Sequence, residues 1–302
     1  MIMEKRYLCK PDVMITSLGF GAMELLRMDE KEAAVLLNGV LDNGINYIDT
    51  SPCYGPSEKY IGQAISGRRS EYFLASKCSC NLSGEGPGHI FERKMIEANV
   101  ENSLKLMKTD YLDVLQLHGP MPADLPGGAD NDAVKTLFDL KKEGKIRHVA
   151  VSFKNGGPSE ELYPARFGLK SLEEMMNWGV FDVMQTVYGG LIRTSENAIT
   201  KAAEKGIGIV ARGILKKYTD EYDSKYQAAR LDELCSEGES RSSFLIRFAL
   251  THPGIATIII GTSKLGHLSD NIKAAEKGGL SDEVYAEAKK RLDSVGITAE
   301  EV

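Results

Sequence analysis

The chain reads as an α/β protein: a (β/α)8 barrel of eight parallel strands, with an N-terminal β-hairpin closing the bottom. Three observations predict this. Short apolar runs rich in β-branched and aromatic residues alternate with amphipathic stretches almost to the end of the chain, which marks parallel βα units. The runs number eight, and eight units close a barrel of typically about 250 residues. Several runs end in an ionisable side chain, and in a parallel barrel the C-terminal strand ends share one face.

The elements follow in order. A hairpin is expected over residues 6–16, where Pro11-Asp12 separates two apolar pieces. The first barrel strand lies near 16–19 and runs into Phe20-Gly21-Ala22; the others are expected at 46–49, 72–76, 111–117, 147–152, 182–186, 207–211 and 257–260. Amphipathic helices are expected at 30–43, 57–65, 91–107, 132–143, 171–178, 195–205 and 243–250, and a last one at 282–295. Gly44, Gly144 and Gly206 each follow a helical pattern just before a strand, where glycine supplies a left-handed C-cap. Long loops are expected at 79–90, 119–131 and 213–241, a length that usually signals a lid or binding segment. Nothing divides the chain, so residues 1–302 read as one barrel domain.

Composition narrows the function. A net charge of −6 without a Lys/Arg cluster gives no support to nucleic-acid binding. No apolar run approaches membrane-spanning length, and the N-terminus lacks an apolar signal core. A cytoplasmic location is the expectation. The five cysteines, Cys9, Cys53, Cys78, Cys80 and Cys235, fit neither a disulfide framework nor a paired zinc spacing, which points to a reducing compartment. Cys78 and Cys80 would share a face of a strand. No matching Cys/His pair completes a metal site in the linear sequence, so both read as unligated thiols and no metal is expected. Cys53, beside Tyr54, reads as a passive thiol because no base is visibly directed at it.

Four side chains carry the chemistry. Asp49, Lys77 and His118 end three successive strand-like runs, and Tyr54 follows the first of them. A phenol titrates near about 10, and a neighbouring ammonium favours the phenolate. Lys77 would supply that charge, Asp49 would hold Lys77, and His118 would orient a substrate oxygen or share the proton. Such a set performs general acid–base catalysis on a carbonyl or alcohol. Taken one at a time, each residue also has an ordinary explanation: a turn cap for Asp49, turn packing for Tyr54, a solvated charge for Lys77 and a core histidine for His118. Their joint placement in neighbouring units favours the chemical reading.

The stretch Gly44-Ile45-Asn46-Tyr47-Ile48-Asp49-Thr50-Ser51, then Tyr54-Gly55 and Glu58-Lys59-Tyr60-Ile61-Gly62, resembles the first signature of the aldo-keto reductases. The resemblance spans nearly the whole chain, from Leu18-Gly19-Phe20-Gly21 to Gly261-Thr262-Ser263 and beyond. It implies an NAD(P)H-dependent carbonyl reductase with Asp49, Tyr54, Lys77 and His118 as the tetrad and Tyr54 giving the oxygen its proton. It places Ser152 and Gln185 on the nicotinamide carboxamide. Phe153 stands where the family has Asn, and Arg212 stands near the position of a stacking aromatic. The segment containing Gly261, Thr262, Ser263, Lys264, His267, Asp270 and Asn271 resembles the phosphate- and adenine-binding segment, with Lys264 toward a 2′-phosphate and His267 in place of the usual Arg. NADP(H) is therefore expected ahead of NAD(H). No Gly-x-Gly-x-x-Gly unit is present, so a Rossmann-type cofactor site is not expected. Phe20, Met23, Phe153 and Tyr188 are expected to line the substrate pocket for a small carbonyl or alcohol. Two other readings stay open: a cofactor-binding regulatory module with little turnover, and a Schiff-base aldolase using Lys77.

Overall fold

The computed structural model describes residues 3–9, 13–154, 165–215 and 220–301. Strands β1 (Lys5–Cys9) and β2 (Val13–Thr16) pair antiparallel. The Pro11-Asp12 turn expected between them lies outside the described residues. Eight strands then close a parallel barrel: β3 (Leu18–Gly21), β4 (Tyr47–Asp49), β5 (Phe73–Cys78), β6 (Leu112–His118), β7 (Ile146–Ser152), β8 (Val183–Val187), β9 (Gly208–Arg212) and β10 (Thr257–Ile260), with β10 beside β3. Helices α1 (Glu30–Asp42), α2 (Ser57–Ala64), α3 (Arg93–Met107), α4 (Asp132–Lys142), α5 (Ala165–Asn177) and α6 (Glu196–Glu204) follow β3 to β8 in turn. After β9 come α7 (Asp220–Ala228) and α8 (Arg241–Thr251); α9 (Leu265–Glu276) and α10 (Asp282–Ser294) follow β10.

Three expectations shift. Thr16 belongs to the hairpin rather than to the first barrel strand: it pairs with Lys5 at the end of the β1–β2 ladder, and its N–H and hydroxyl both bond the Asn46 side chain, at 2.7 and 3.1 Å. The region 213–241 is not one long loop: it contains α7 and a short 3-10 turn at Leu231–Leu234. Helix α5 begins six residues earlier than the periodicity predicts, at Ala165.

The interior of the barrel is a two-layer object. Tyr47, Ala75, Val114, Ala150, Val183 and Val210 form one apolar cluster with Leu8, Val13 and Ile15 of the hairpin. The hairpin therefore plugs the N-terminal end. Arg6 ties it down by donating to the carbonyls of Ile255 and Leu250 at 3.0 and 2.8 Å. Its approach is so close that a Cβ on Gly208 would stand 2.0 Å from the Leu8 carbonyl oxygen, so a side chain there would displace the plug. A groove bounded by Arg6, Leu8, Gly208 and Ile255 lies at this closed end, away from the barrel mouth. Side chains in a strand face the same way every second residue. One pleat step beyond the apolar layer therefore places Asp49, Lys77, Gln116, Ser152, Gln185 and Arg212 on the inner face at the open end.

Candidate active site

The polar layer is wired around Asp49, at the end of β4. Its Oδ1 accepts from Lys77 Nζ at 2.5 Å; its Oδ2 accepts from Gln116 Nε2 at 2.7 Å and from Gln185 Nε2 at 2.8 Å. Gln185 is held in turn by Ser152, whose hydroxyl donates to Oε1 at 2.9 Å. Lys77 also donates to the Thr50 carbonyl at 2.9 Å. Lys77 and Asp49 are 1% and 2% exposed. Burial by itself disfavours the ammonium, but the Asp49 carboxylate and the Tyr54 phenol outweigh it, and Lys77 is held above its ordinary value. An ammonium in this position is a fixed charge. Its Nζ lies 4.9 Å from the centroid of the Tyr54 ring, and Tyr54 is half-buried at the rim.

His118, the last residue of β6, meets Tyr54 edge to face with centroids 6.4 Å apart. Its Nδ1 faces Cys80 Sγ at 3.3 Å, Cys53 Sγ at 3.4 Å and Ser51 Oγ at 3.4 Å. Burial pushes the imidazole down to about 4, against the pull of Cys53 and with help from the Lys77 charge, so it is neutral at pH 7. The two sulfurs lie 3.1 Å apart. Hydrogen bonding from Cys80 holds the Cys53 thiol far below its usual value, against burial and with help from His118 and His89. The same contact pushes Cys80 up.

The cofactor segment enters α9. Leu265 to His267, the first turn of this helix, are exposed and no side chain caps it, so its first N–H groups are open to an anion. Lys264 stands beside them at the N-cap position. Thr262 accepts from Lys264 N at 3.1 Å and shapes the turn. A Cβ on Gly261 would lie 2.7 Å from the Gly21 carbonyl oxygen, so glycine is required where β10 meets β3. Asp270 is exposed and Asn271 is buried. Arg212, at the end of β9, donates to the Phe153 carbonyl at 2.8 Å.

A model of the aldo/keto reductase family matches residues 17–293. The chain belongs to that family. It is 28% identical over 305 residues to the uncharacterized oxidoreductase YqkF of Bacillus subtilis, covering 93% of this chain and 94% of that one. It is 29% identical over 273 residues to the aldo-keto reductase YhdN of the same organism, covering 80% and 77%. The holo form of aldo-keto reductase AKR11C1 from Bacillus halodurans superposes with a TM-score of 0.80 at 26% identity, covering 99% of this chain and 98% of that chain. As a member of the aldo/keto reductases, the chain is an oxidoreductase that uses a nicotinamide cofactor. No described helix is long and apolar enough to cross a membrane.

The aldo/keto reductase fold gathers Asp49, Tyr54, Lys77, His118, Ser152, Gln185 and Arg212 at the mouth. It does not bring the expected pocket walls there. Phe20, Phe153 and Tyr188 are buried in the shell between strands and helices, and Tyr188 is tied at its hydroxyl to the Tyr285 hydroxyl at 2.9 Å. The outward parity of Phe20 and Phe153 relative to Gly19 and Ser152 explains this. Met23 remains exposed. Sequence reasoning missed Gln116; its signal was a lone polar residue one pleat step beyond Val114 in an apolar strand. It also treated Cys80 as sharing a face with Cys78. Ser79 has φ of 71°, which breaks the alternation, so Cys78 packs in the shell while Cys80 turns to the mouth. Cys53 does have a base directed at it, His118.

Proposed function

We propose that this chain reduces carbonyl groups, or oxidises the corresponding alcohols, with NAD(P)(H), and that Tyr54 moves the proton. The observation that carries this reading is the buried Lys77 ammonium, clamped between Asp49 Oδ1 and the Thr50 carbonyl beneath the Tyr54 ring. That fixed charge lies beside the phenol through which the proton would pass. As carbonyl oxygen gains charge, Tyr54 Oη donates its hydrogen to it; in the alcohol direction the phenolate takes it back. Neutral His118 is suited to hydrogen-bond the same oxygen rather than to compete as an acid. The donor set fits a dinucleotide: Ser152 and Gln185 would hold the carboxamide, and Arg212 and the open first turn of α9 would meet its phosphates. When bound, the nicotinamide supplies or accepts the hydride. Asp270 and Asn271 would flank the adenine. Lys264 would face a 2′-phosphate, which favours NADP(H).

The test begins with fluorescence titration by NADPH and NADH and continues with their oxidation over a panel of aldehydes and ketones. Tyr54→Phe is expected to lower kcat by about 10²–10⁴, the range of general acid–base assistance, with cofactor affinity nearly unchanged. Undiminished turnover in Tyr54→Phe would refute the acid role. Lys264→Ala is expected to weaken NADPH more than NADH; equal losses would remove Lys264 from phosphate recognition. A cofactor-binding module with little turnover is the second reading. It is favoured by His118 Nδ1 facing sulfur and by the apolar Phe153 where the family's Asn would stand, and it predicts tight cofactor binding without oxidation of any panel member.

A further inference from the structure

Among the described residues, Cys53, Cys80, His89 and His118 bring four potential ligand atoms within 4.8 Å of one another. They come from the loop after β4 (Cys53), the loop after β5 (Cys80 and His89) and the end of β6 (His118). The chain contains 5 cysteines and 5 histidines in total, and two of each meet at this spot. From this juxtaposition we infer that the rim of the barrel holds a tetrahedral Cys2His2 site for a zinc-class divalent cation.

The geometry is close to what such an ion requires. With Zn–S near 2.3 Å and Zn–N near 2.0–2.1 Å, the edges of a tetrahedral ligand set are about 3.3–3.8 Å. The two sulfurs are 3.1 Å apart, and each lies 3.3–3.4 Å from His118 Nδ1. The His89 and His118 rings are 4.4 Å apart at their centroids. A shell of that size asks the sulfur pair to open by about 0.7 Å and the ligand atoms, now spread over up to 4.8 Å, to draw in by about 1 Å. Two thiolates and two imidazoles without a carboxylate suit zinc rather than magnesium or calcium.

The site is also built rather than accidental. Cys80 is fixed on both sides of its backbone by one side chain: its N–H donates to Asn99 Oδ1 at 2.7 Å, and its carbonyl accepts from Asn99 Nδ2 at 3.1 Å. Asn99 lies on α3 and is 5% exposed. Cys80 and His89 form an isolated antiparallel bridge. Bonds from Asn81 N to the Gly88 carbonyl and from Ile90 N to the Ser79 carbonyl, 3.0 and 2.8 Å, close the loop beside it. The excursion thus returns His89 to the side of Cys80. The contacts among the four groups are weak ones, between thiol and thiol, thiol and imidazole, and the edges of the two rings.

Four protein ligands leave no open position, the arrangement of a structural site. It would tie the loops after β4 and β5 to the end of β6 at the mouth. Ligation through Nδ1 also leaves the hydrogen of His118 on Nε2, a fixed tautomer. On the reductase reading above, that hydrogen is a permanent donor at the rim.

The test needs neither nicotinamide nor substrate, so its outcome is separate from that of the reductase reading. Untagged protein is stripped of metal under reducing conditions and titrated with Co²⁺, then with Zn²⁺. The expected result is uptake of one ion per chain, with thiolate-to-cobalt charge-transfer absorption and tetrahedral d–d bands that Zn²⁺ abolishes. Cys80→Ser and His89→Ala should each weaken zinc by more than ~100-fold, beyond the ~10–100-fold cost of an outer-shell change; Cys235→Ser should leave it unchanged. Should a variant fail to fold, the wild-type protein still decides: zinc must shield Cys53 and Cys80 from a thiol reagent. Absence of tetrahedral cobalt spectra in reduced wild-type protein would overturn the site, as would equal zinc affinity in His89→Ala. A Cys53–Cys80 disulfide in a protein whose reduced form takes no metal would also overturn it and make the pair a redox couple.

Discussion

On one side of the barrel mouth, Asp49, Lys77, Gln116 and Gln185 are all 2% exposed or less, and both carboxylate oxygens of Asp49 are taken up by strong donors. On the other side, Cys53, Cys80, His89 and His118 crowd together with contacts among sulfur, imidazole and the Ser51 hydroxyl, and Cys53 is open to solvent. The first group stands on β4, β5, β6 and β8, and the second at the end of β6 or in the loops after β4 and β5. In the first, the carboxylate is fully engaged, as a buried charge pair persists only when geometry and extra hydrogen bonds offset its desolvation, and Gln116 Oε1 is left as a buried acceptor without a partner among the described residues. The second consists of ligand atoms that lack a strong partner. The first side therefore behaves as fixed scaffolding for Tyr54, and the second as a socket.

Three measurements would break or sharpen this contrast. The largest effect is expected from Asp49→Ala, which strands the Lys77 ammonium in the interior. Removing one partner of a buried pair typically costs about 3–5 kcal/mol, readable by chemical denaturation. A cost below about 1 kcal/mol would mean that the network does not depend on the carboxylate. The next concerns His89→Ala. In metal-free protein this half-buried loop residue should change stability by no more than ~0.5 kcal/mol. With free zinc at a hundred times the wild-type Kd, only the wild type should gain about 2.7 kcal/mol. Equal gains in both would show that His89 is not part of the socket.

The smallest effect belongs to Asp182, just before β8 at the closed end. Its Oδ2 accepts from Lys141 Nζ and Val149 N, both at 2.9 Å, with His148 Nδ1 at 3.7 Å. Burial opposes its ionisation, but His148, Lys141 and the Val149 N–H outweigh it and hold the carboxyl down to about 2 from 3.8. A depressed carboxyl stabilises the folded chain above its unfolded value, so this contribution is present above about pH 4 and is lost as pH falls toward 2. The group is about one-third exposed, so after allowance for solvent screening about 1 kcal/mol is at stake. Asp182→Asn should flatten the stability profile between pH 4 and 2 and leave the mouth untouched. An unchanged slope would shift the acid sensitivity to another group.

Much of the polar layer was legible because it obeys local rules. Asp49, Lys77, Ser152, Gln185 and Arg212 each sit one pleat step beyond an apolar inward residue, and a period of two can be read along a strand. Gln116 obeys the same rule, one pleat step beyond Val114. Phe20 and Phe153, expected at the pocket wall, sit at the opposite parity and pack in the shell outside the barrel. The Cys/His cluster had no linear signature. Its members are spread over two loops and a strand end, and the return of His89 depends on the positive φ of Ser79, the Asn99 clamp and the Cys80–His89 bridge.

Alternation of apolar runs with amphipathic stretches was enough to specify eight parallel units and the hairpin, because hydrophobic periodicity and turn chemistry act over a few residues; the family resemblance rested on the motif residues between Gly44 and Gly62. Tertiary structure alone decided which side chains became neighbours across loops. Closing the barrel sets strand ends side by side at distances that no spacing in the chain encodes, and that closure made one group of four a finished ion pair and the other a socket.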